Sequence, residues 1–198
     1  MATFEITGGT RLNGEIFPQG AKNEALQVIS AVLLSKETVI IRNIPKINDV
    51  LKLIALLSAM GVKVTKLSDS DYSFKADEVG LDYLNSEDFI KKAVSLRGSI
   101  MVIGPLLSRF GRGFIPKPGG DKIGRRRLDT HFIGFEKLGA TFVYDSKTGI
   151  YFVEAKRLKG ASMLLDEASV TGTANLVMAA VLANGTTTLF NAACEPYI

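Results

Sequence analysis

Cys194 is the only cysteine in the chain, so no internal disulfide can form and the fold has to rest on its core. An unpaired thiol also fits a reducing cytosol. The opening MATFEITGG lacks a basic segment followed by an apolar one, so no cleaved leader is expected. Apolar runs such as residues 25–34 are interrupted well short of the roughly 20 residues that a membrane span needs. Aromatic side chains do not interleave with the cations at Arg125, Arg126 and Arg127, which argues against base stacking on nucleic acid. What remains is an ordinary globular composition of 198 residues, 46% hydrophobic and 22% charged. That suffices for a substantial core in one domain or two small ones. A net charge of +4 suits anionic small molecules or nucleic acid and selects neither.

In chain order, residues 3–7 alternate like a strand, Gly8 and Gly9 turn it, and residues 13–17 form a second extended segment ending at Pro18. A helix follows Gly20-Ala21-Lys22-Asn23. Ala25, Val28, Ile29, Val32 and Leu33 lie on one helical face, and Leu26, Ala31 and Leu34 fill others, so this helix is predicted to be buried nearly all round. The β-branched run 38–41 reads as a strand leaving it. Asn48 or Asp49 can cap a second helix with an apolar stripe at Ile54, Leu57 and Met60. Gly61 ends that helix and residues 62–64 begin another strand.

The same series of events then recurs. Residues 96–107 read as a second strongly apolar helix, leading through Gly111 and Gly113 to a strand at Phe114-Ile115. Residues 131–138 read as a second amphipathic helix, and Leu138-Gly139-Ala140-Thr141-Phe142 echoes Met60-Gly61-Val62-Lys63-Val64. A third round begins near Ser169 with the apolar stretch 175–184, and residues 186–191 match 38–43. The pattern is an α/β repeat of buried helix, strand, amphipathic helix and strand pair. The third unit reaches Ile198 before its second helix, so apolar surface is expected to stay uncovered there, with weak protection after about Gly172.

Lys22 and Asn23, Arg97, and residues 169–173 occupy equivalent places at the starts of the three buried helices. Singly, Lys22 reads as a solvated lysine and Arg97 as an ion-paired arginine. Arranged about a pseudo-threefold axis, the three helix ends would meet at one pole whose unpaired N–H groups attract anions. The loop 116–131, PKPGGDKIGRRRLDTH, adds a Pro-Gly-Gly turn, the carboxylate of Asp121 and the cations Lys122, Arg125, Arg126 and Arg127. Arginine forks match phosphate and carboxylate oxygens.

Gly20-Ala21-Lys22-Asn23, Leu96-Arg97-Gly98-Ser99, Pro118-Gly119-Gly120-Asp121-Lys122-Ile123-Gly124, Arg126 with Asp129 and His131, and Asn191-Ala192-Ala193 before Glu195-Pro196 closely resemble the enolpyruvyl transferase family, in the branch acting on UDP-N-acetylglucosamine. The resemblance runs the length of the chain. It implies an inside-out α/β barrel of βαβαββ-type repeats, here with an incomplete third repeat. It also implies two domains with the active site between them. Residues 1–21 would then be strands of the second domain, absent from this chain, and residues 22–198 the first domain, truncated in its third repeat.

The implied reaction moves the enolpyruvyl group of phosphoenolpyruvate to the 3′-hydroxyl of UDP-N-acetylglucosamine. Phosphate is released, at the first committed step of cytoplasmic peptidoglycan synthesis. The resemblance implies no metal or organic cofactor, no nucleic-acid or membrane partner, and a need for the second domain. It makes Asp121 the general acid, with Lys22 also catalytic. Lys22, Asn23 and Arg126 would hold phosphoenolpyruvate. Arg97, Arg126, Leu128, Asp129, Thr130, Ser169, Val170 and Thr171 would hold the nucleotide sugar. Three positions depart from the family's commoner residues: Asp121 stands where cysteine, the target of the epoxide fosfomycin, is frequent; Glu167 stands for lysine; Arg127 stands for proline. Two other readings are weighed beside it: a basic nucleotide- or nucleic-acid-binding module without catalysis, and the sister transferase acting on shikimate phosphate.

Overall fold

A computed structural model describes residues 3–116, 127–147 and 149–198. Its first repeat runs α1 (Lys22–Ala31), a 3-10 turn (Val32–Leu34), β1 (Thr38–Ile41), α2 (Asn48–Ala59), β2 (Lys63–Lys66) and β3 (Tyr72–Lys75). A 3-10 segment (Leu81–Asn85) and α3 (Glu87–Val94) lead to the second. That repeat comprises a 3-10 segment (Arg97–Val102), α4 (Ile103–Phe110), β4 (Arg112–Pro116), α5 (Asp129–Lys137), β5 (Thr141–Asp145) and β6 (Ile150–Glu154). The third has β7 (Ser162–Leu164), α6 (Val170–Ala180) and β8 (Thr188–Phe190).

The repetition read from sequence is repeated in strand pairing. The first sheet has the order β1-β3-β2 and the second β4-β6-β5, antiparallel throughout. In each, the last strand sits in the middle. Phe74, fully buried, lies between Val39 and Val64; Val153, equally buried, lies between Gly113 and Phe142. β7 and β8 pair in parallel across α6. The match of residues 38–43 to 186–191 is also conformational: Asn43 (φ 56°) and Asn191 (φ 55°) both adopt the left-handed geometry that asparagine tolerates better than most residues.

The helices α1, α4 and α6 form the centre, with the sheets outside them, as the inside-out expectation requires. Ile29, Leu33, Ile103, Leu106, Leu176 and Ala179 are essentially inaccessible to water. Close approach depends on missing side chains. A Cβ at Gly104 would lie 2.4 Å from the Asn175 carbonyl oxygen, and one at Gly134 would lie 2.4 Å from a Leu176 methyl.

Several expectations are revised. Residues 96–107 do not form one α-helix: the first part is 3-10, and α4 begins at Ile103 with Gly104 and Pro105 in its opening turn. Proline is tolerated there because first-turn N–H groups have no intrahelical partner. α2 is preceded by Ile47 with no side-chain cap, so neither Asn48 nor Asp49 fills that role. On α1, Val28 is 37% exposed while Gln27 is buried with both amide atoms unpartnered. α6 belongs to the core, so weak coverage starts beyond it rather than at Gly172: Val181, Leu182 and Phe190 are each more than half exposed. Residues 3–20 join no strand ladder in the described structure, and Phe4, Ile6, Leu12, Ile16 and Phe17 are 84–91% exposed. No helix among the described residues is long and apolar enough to cross a membrane.

Candidate active site

The residues named from sequence stand at equivalent places, at the starts of the core segments of the three repeats. Lys22 is the first residue of α1, Arg97 opens the 3-10 segment leading into α4, and Ser169 caps α6 by accepting a hydrogen bond from Gly172 N at 3.1 Å. α5 begins at Asp129 and contributes its own N-terminus beside that of α6. Gly172 permits this: a Cβ there would sit 2.9 Å from Thr130 Cγ2. Thr130 is thereby brought against the first turn of α6.

Polar groups fix this junction. Thr130 Oγ1 donates to Asp166 Oδ1 at 2.5 Å, so the Thr130 hydroxyl is engaged within the protein. Arg127 Nε donates to Asp129 Oδ2 at 2.8 Å, and its Nη2 lies 3.5 Å from Asp166 Oδ2. Those carboxylates hold the guanidinium above its ordinary pKa, the Asp129 hydrogen bond most strongly.

Beneath them lies His131, 2% exposed. Asn175 orients it. The Asn175 Oδ1 accepts from Gly104 N at 2.8 Å, while Nδ2 donates to Ile100 O at 2.9 Å and to His131 Nδ1 at 3.0 Å. With Nδ1 accepting, the ring proton belongs on Nε2, which faces Thr171 Oγ1 at 3.4 Å. Burial, and then the positive charge of Arg97, push the His131 pKa down to about 4, so the ring is neutral at pH 7.

Lys22 sits apart from this network. Its ammonium pairs with Asp49 Oδ2 on α2 at 2.7 Å, with both side chains about 40% exposed. Asn23 is exposed on the same turn. α1 adjoins the Arg97 segment through Leu26, whose methyl would be 3.4 Å from a Cβ on Gly98. Asp121 and Arg126, with Lys122 and Arg125, lie outside the described residues. The sequence offers Asp49 only as a helix cap and gives no role to Asp166 or Asn175. Only Asn175 carried a signal, as an amide inside an otherwise apolar helix.

The core helices α1, α4 and α6 lie inside two antiparallel three-stranded sheets whose strand order repeats. The chain belongs to the family described as EPSP synthase (3-phosphoshikimate 1-carboxyvinyltransferase), whose model matches residues 6–198. Among its relatives, a UDP-N-acetylglucosamine 1-carboxyvinyltransferase of Bacteroides thetaiotaomicron is 64% identical over 198 residues, all of this chain and 46% of the relative. A protein of the same name from Porphyromonas gingivalis is 60% identical over the same span. The chain therefore covers under half the length of these relatives. In three dimensions it is similar to the enolpyruvyl transferase NikO from Streptomyces tendae, with a TM-score of 0.72 at 20% identity, over 96% of this chain and 44% of that one. An EPSP synthase from Acinetobacter baumannii gives 0.64 at 18% identity, over 89% of this chain and 40% of that one. These likenesses establish the fold.

Proposed function

We propose that this chain supplies the first domain of an enzyme that transfers the enolpyruvyl group of phosphoenolpyruvate to the 3′-hydroxyl of UDP-N-acetylglucosamine. The observation that carries the reading is 64% identity across every residue of the chain to a relative bearing that name. In the addition step the sugar oxygen bonds to C2 of phosphoenolpyruvate and a proton is added at C3. Phosphate then leaves from C2 as C3 gives up a proton, restoring the double bond. An acid, a base and several cations are needed.

Asp121 is assigned as the acid that protonates C3. Lys22, Asn23 and Arg126 hold phosphoenolpyruvate, and Arg97 and Arg126 meet anionic groups of the two substrates. Leu128 to Thr130 and Ser169 to Thr171 face the nucleotide sugar, partly through backbone groups, since the Thr130 hydroxyl is engaged with Asp166. The Lys22–Asp49 pair does not oppose the assignment. Ion pairs this exposed contribute about 0–1 kcal/mol, so a substrate phosphate can take the ammonium over.

The base and further cations come from the second domain. Residues 1–21 belong with that domain, and the exposed Phe4, Ile6, Leu12, Ile16 and Phe17 are the side chains it would cover. An unpaired Cys194 and these substrates fit the cytoplasm.

The test is phosphate release from phosphoenolpyruvate by this chain alone and by the chain joined to the second half of the Bacteroides thetaiotaomicron relative. UDP-N-acetylglucosamine and shikimate 3-phosphate serve as rival acceptors. Release is expected only from the joined protein and only with the nucleotide sugar. Preference for shikimate 3-phosphate would overturn the acceptor, and full activity of this chain alone would overturn the two-domain reading.

A further inference from the structure

The opposite end of the core helices carries a second concentration of charge that the transfer chemistry does not use. α6 spans 11 residues, a rise of about 16 Å, so its C-terminus is well removed from Ser169. Beyond the C-terminal ends of α4 and α6 lies an open cleft of about 1130 Å³ with Leu107, Phe110 and Leu158 among its lining. Five cations, Arg109, Arg112, Lys156, Arg157 and Lys159, line it with one carboxylate, Glu154.

Cations near helix C-termini ordinarily offset the negative end of the macrodipole. Arg109 has such a role: its Nη1 donates to Leu33 O at 2.8 Å and to Ser35 O at 3.0 Å. The other four do not. Among the described residues none of them has a carboxylate within 4 Å, and unlike the unpaired Lys36, Arg42 and Lys137 elsewhere they line one cleft. Three of the four ride on the connection between β6 and β7, and that connection is pinned. Ala155 N donates to Gly111 O at 2.8 Å, Lys159 N to Leu138 O at 2.9 Å, and Gly160 N to Asn184 O at 2.8 Å, while Leu158 is buried between the cations. The cations are thus presented on an ordered backbone.

We propose that this cleft is a docking surface for an acidic polypeptide segment with apolar residues interspersed. Unpaired cations beside the half-exposed Leu182 and the partly exposed Phe110 match such a segment on both counts. A free polyphosphate would leave the half-exposed Leu182 wet, and helix C-termini offer it no N–H donors. Nucleic acid would want an open aromatic face, and the Phe110 ring is covered by the Arg109 guanidinium at 4.8 Å. Docking here leaves the Lys22 pole free.

The test is fluorescence anisotropy of this chain with a short labelled peptide alternating glutamate and leucine. A glutamine-for-glutamate version, a single-stranded oligonucleotide and tripolyphosphate are the comparators. Binding of the glutamate peptide should weaken at least roughly tenfold when Arg112, Lys156, Arg157 and Lys159 are all changed to Gln, and should weaken with added salt. Changing Lys63 and Lys91 to Gln should leave it unaltered. A photoreactive version of the peptide should label the wild-type chain within residues 155–161, a readout independent of how the variant folds. The proposal is overturned by absence of peptide binding, by equal binding to the glutamine version, by labelling confined to α1 or α2, or by tighter binding of the oligonucleotide or tripolyphosphate.

Discussion

Lowering the pH should destabilise this fold through one side chain before its carboxylates titrate. His131 is buried and neutral, with a folded-state pKa of about 4 against 6.5 for an unperturbed histidine. Above pH 6.5 the ring is neutral in both the folded and unfolded chain, and its contribution is fully present. As the pH falls below 6.5 the unfolded chain takes up a proton that the folded chain refuses, so the equilibrium shifts toward unfolding. The loss is complete below about pH 4 and amounts to about 3 kcal/mol, with about 1.4 kcal/mol already gone at about pH 5.5. Against a typical stability of about 5–15 kcal/mol this is large, and with an ordinary urea slope it moves the midpoint by about 1–2 M. Asp69, Asp77 and Asp88 have pKa values held below the usual carboxylate range by hydrogen bonds chiefly from Lys46, Lys63 and Lys92 respectively, so their contribution is lost in a lower window. The assay is urea unfolding followed by circular dichroism from pH 7.5 to 4.5, comparing the wild type with His131→Gln. Glutamine offers Asn175 an acceptor but does not titrate. The variant should be nearly flat across the upper part of that range while the wild type falls. Parallel curves for the two proteins would refute the reasoning.

Asn175→Ala should cost about 2–5 kcal/mol in urea unfolding, because it strands Gly104 N and His131 Nδ1 in the core and removes one of two donors to Ile100 O; a loss below about 1 kcal/mol would mean that water or repacking replaces the amide. Because a carboxylate is a far poorer nucleophile toward an epoxide than a thiolate, the joined two-domain protein should resist covalent inactivation by fosfomycin, and Asp121→Cys should confer it. An adduct on Asp121 in mass spectra would contradict this. In the same protein Asp121→Asn should lower kcat by about a hundredfold or more with little change in nucleotide-sugar affinity, and the reverse split would remove Asp121 from the acid role. The chain alone should bind an apolar-surface dye through the exposed faces of Val28, Val177, Val181 and Leu182. Hydrogen exchange should be slow in α6 and fast after it; fast exchange throughout α6 would place that helix outside the cooperative core.

The repeat was legible because its units share local signals: an apolar stretch in all three, a glycine after an amphipathic helix in the first two, and a β-branched run leading to an asparagine that can turn left-handed in the first and third. Gly61 and Gly139 adopt φ of 101° and 96°, and Asn43 and Asn191 share one geometry, so local chemistry settled those turns. The equivalent positions of Lys22, Arg97 and Ser169 followed from the same periodicity. Tertiary structure decided what those residues touch. That Lys22 pairs with Asp49, that Thr130 is bound to Asp166, and that Asn175 clamps His131 depend on groups 27, 36 and 44 residues apart, and no spacing rule links them. Burial is likewise a property of neighbours: periodicity put Val28 on the apolar face of α1, but the packing of α2, α6 and the 3-10 segment 97–102 around that helix buried Gln27 and left Val28 partly in water. The basic cleft follows the same rule, since its cations come from α4, β4 and the connection after β6, and only folding sets them around one cleft.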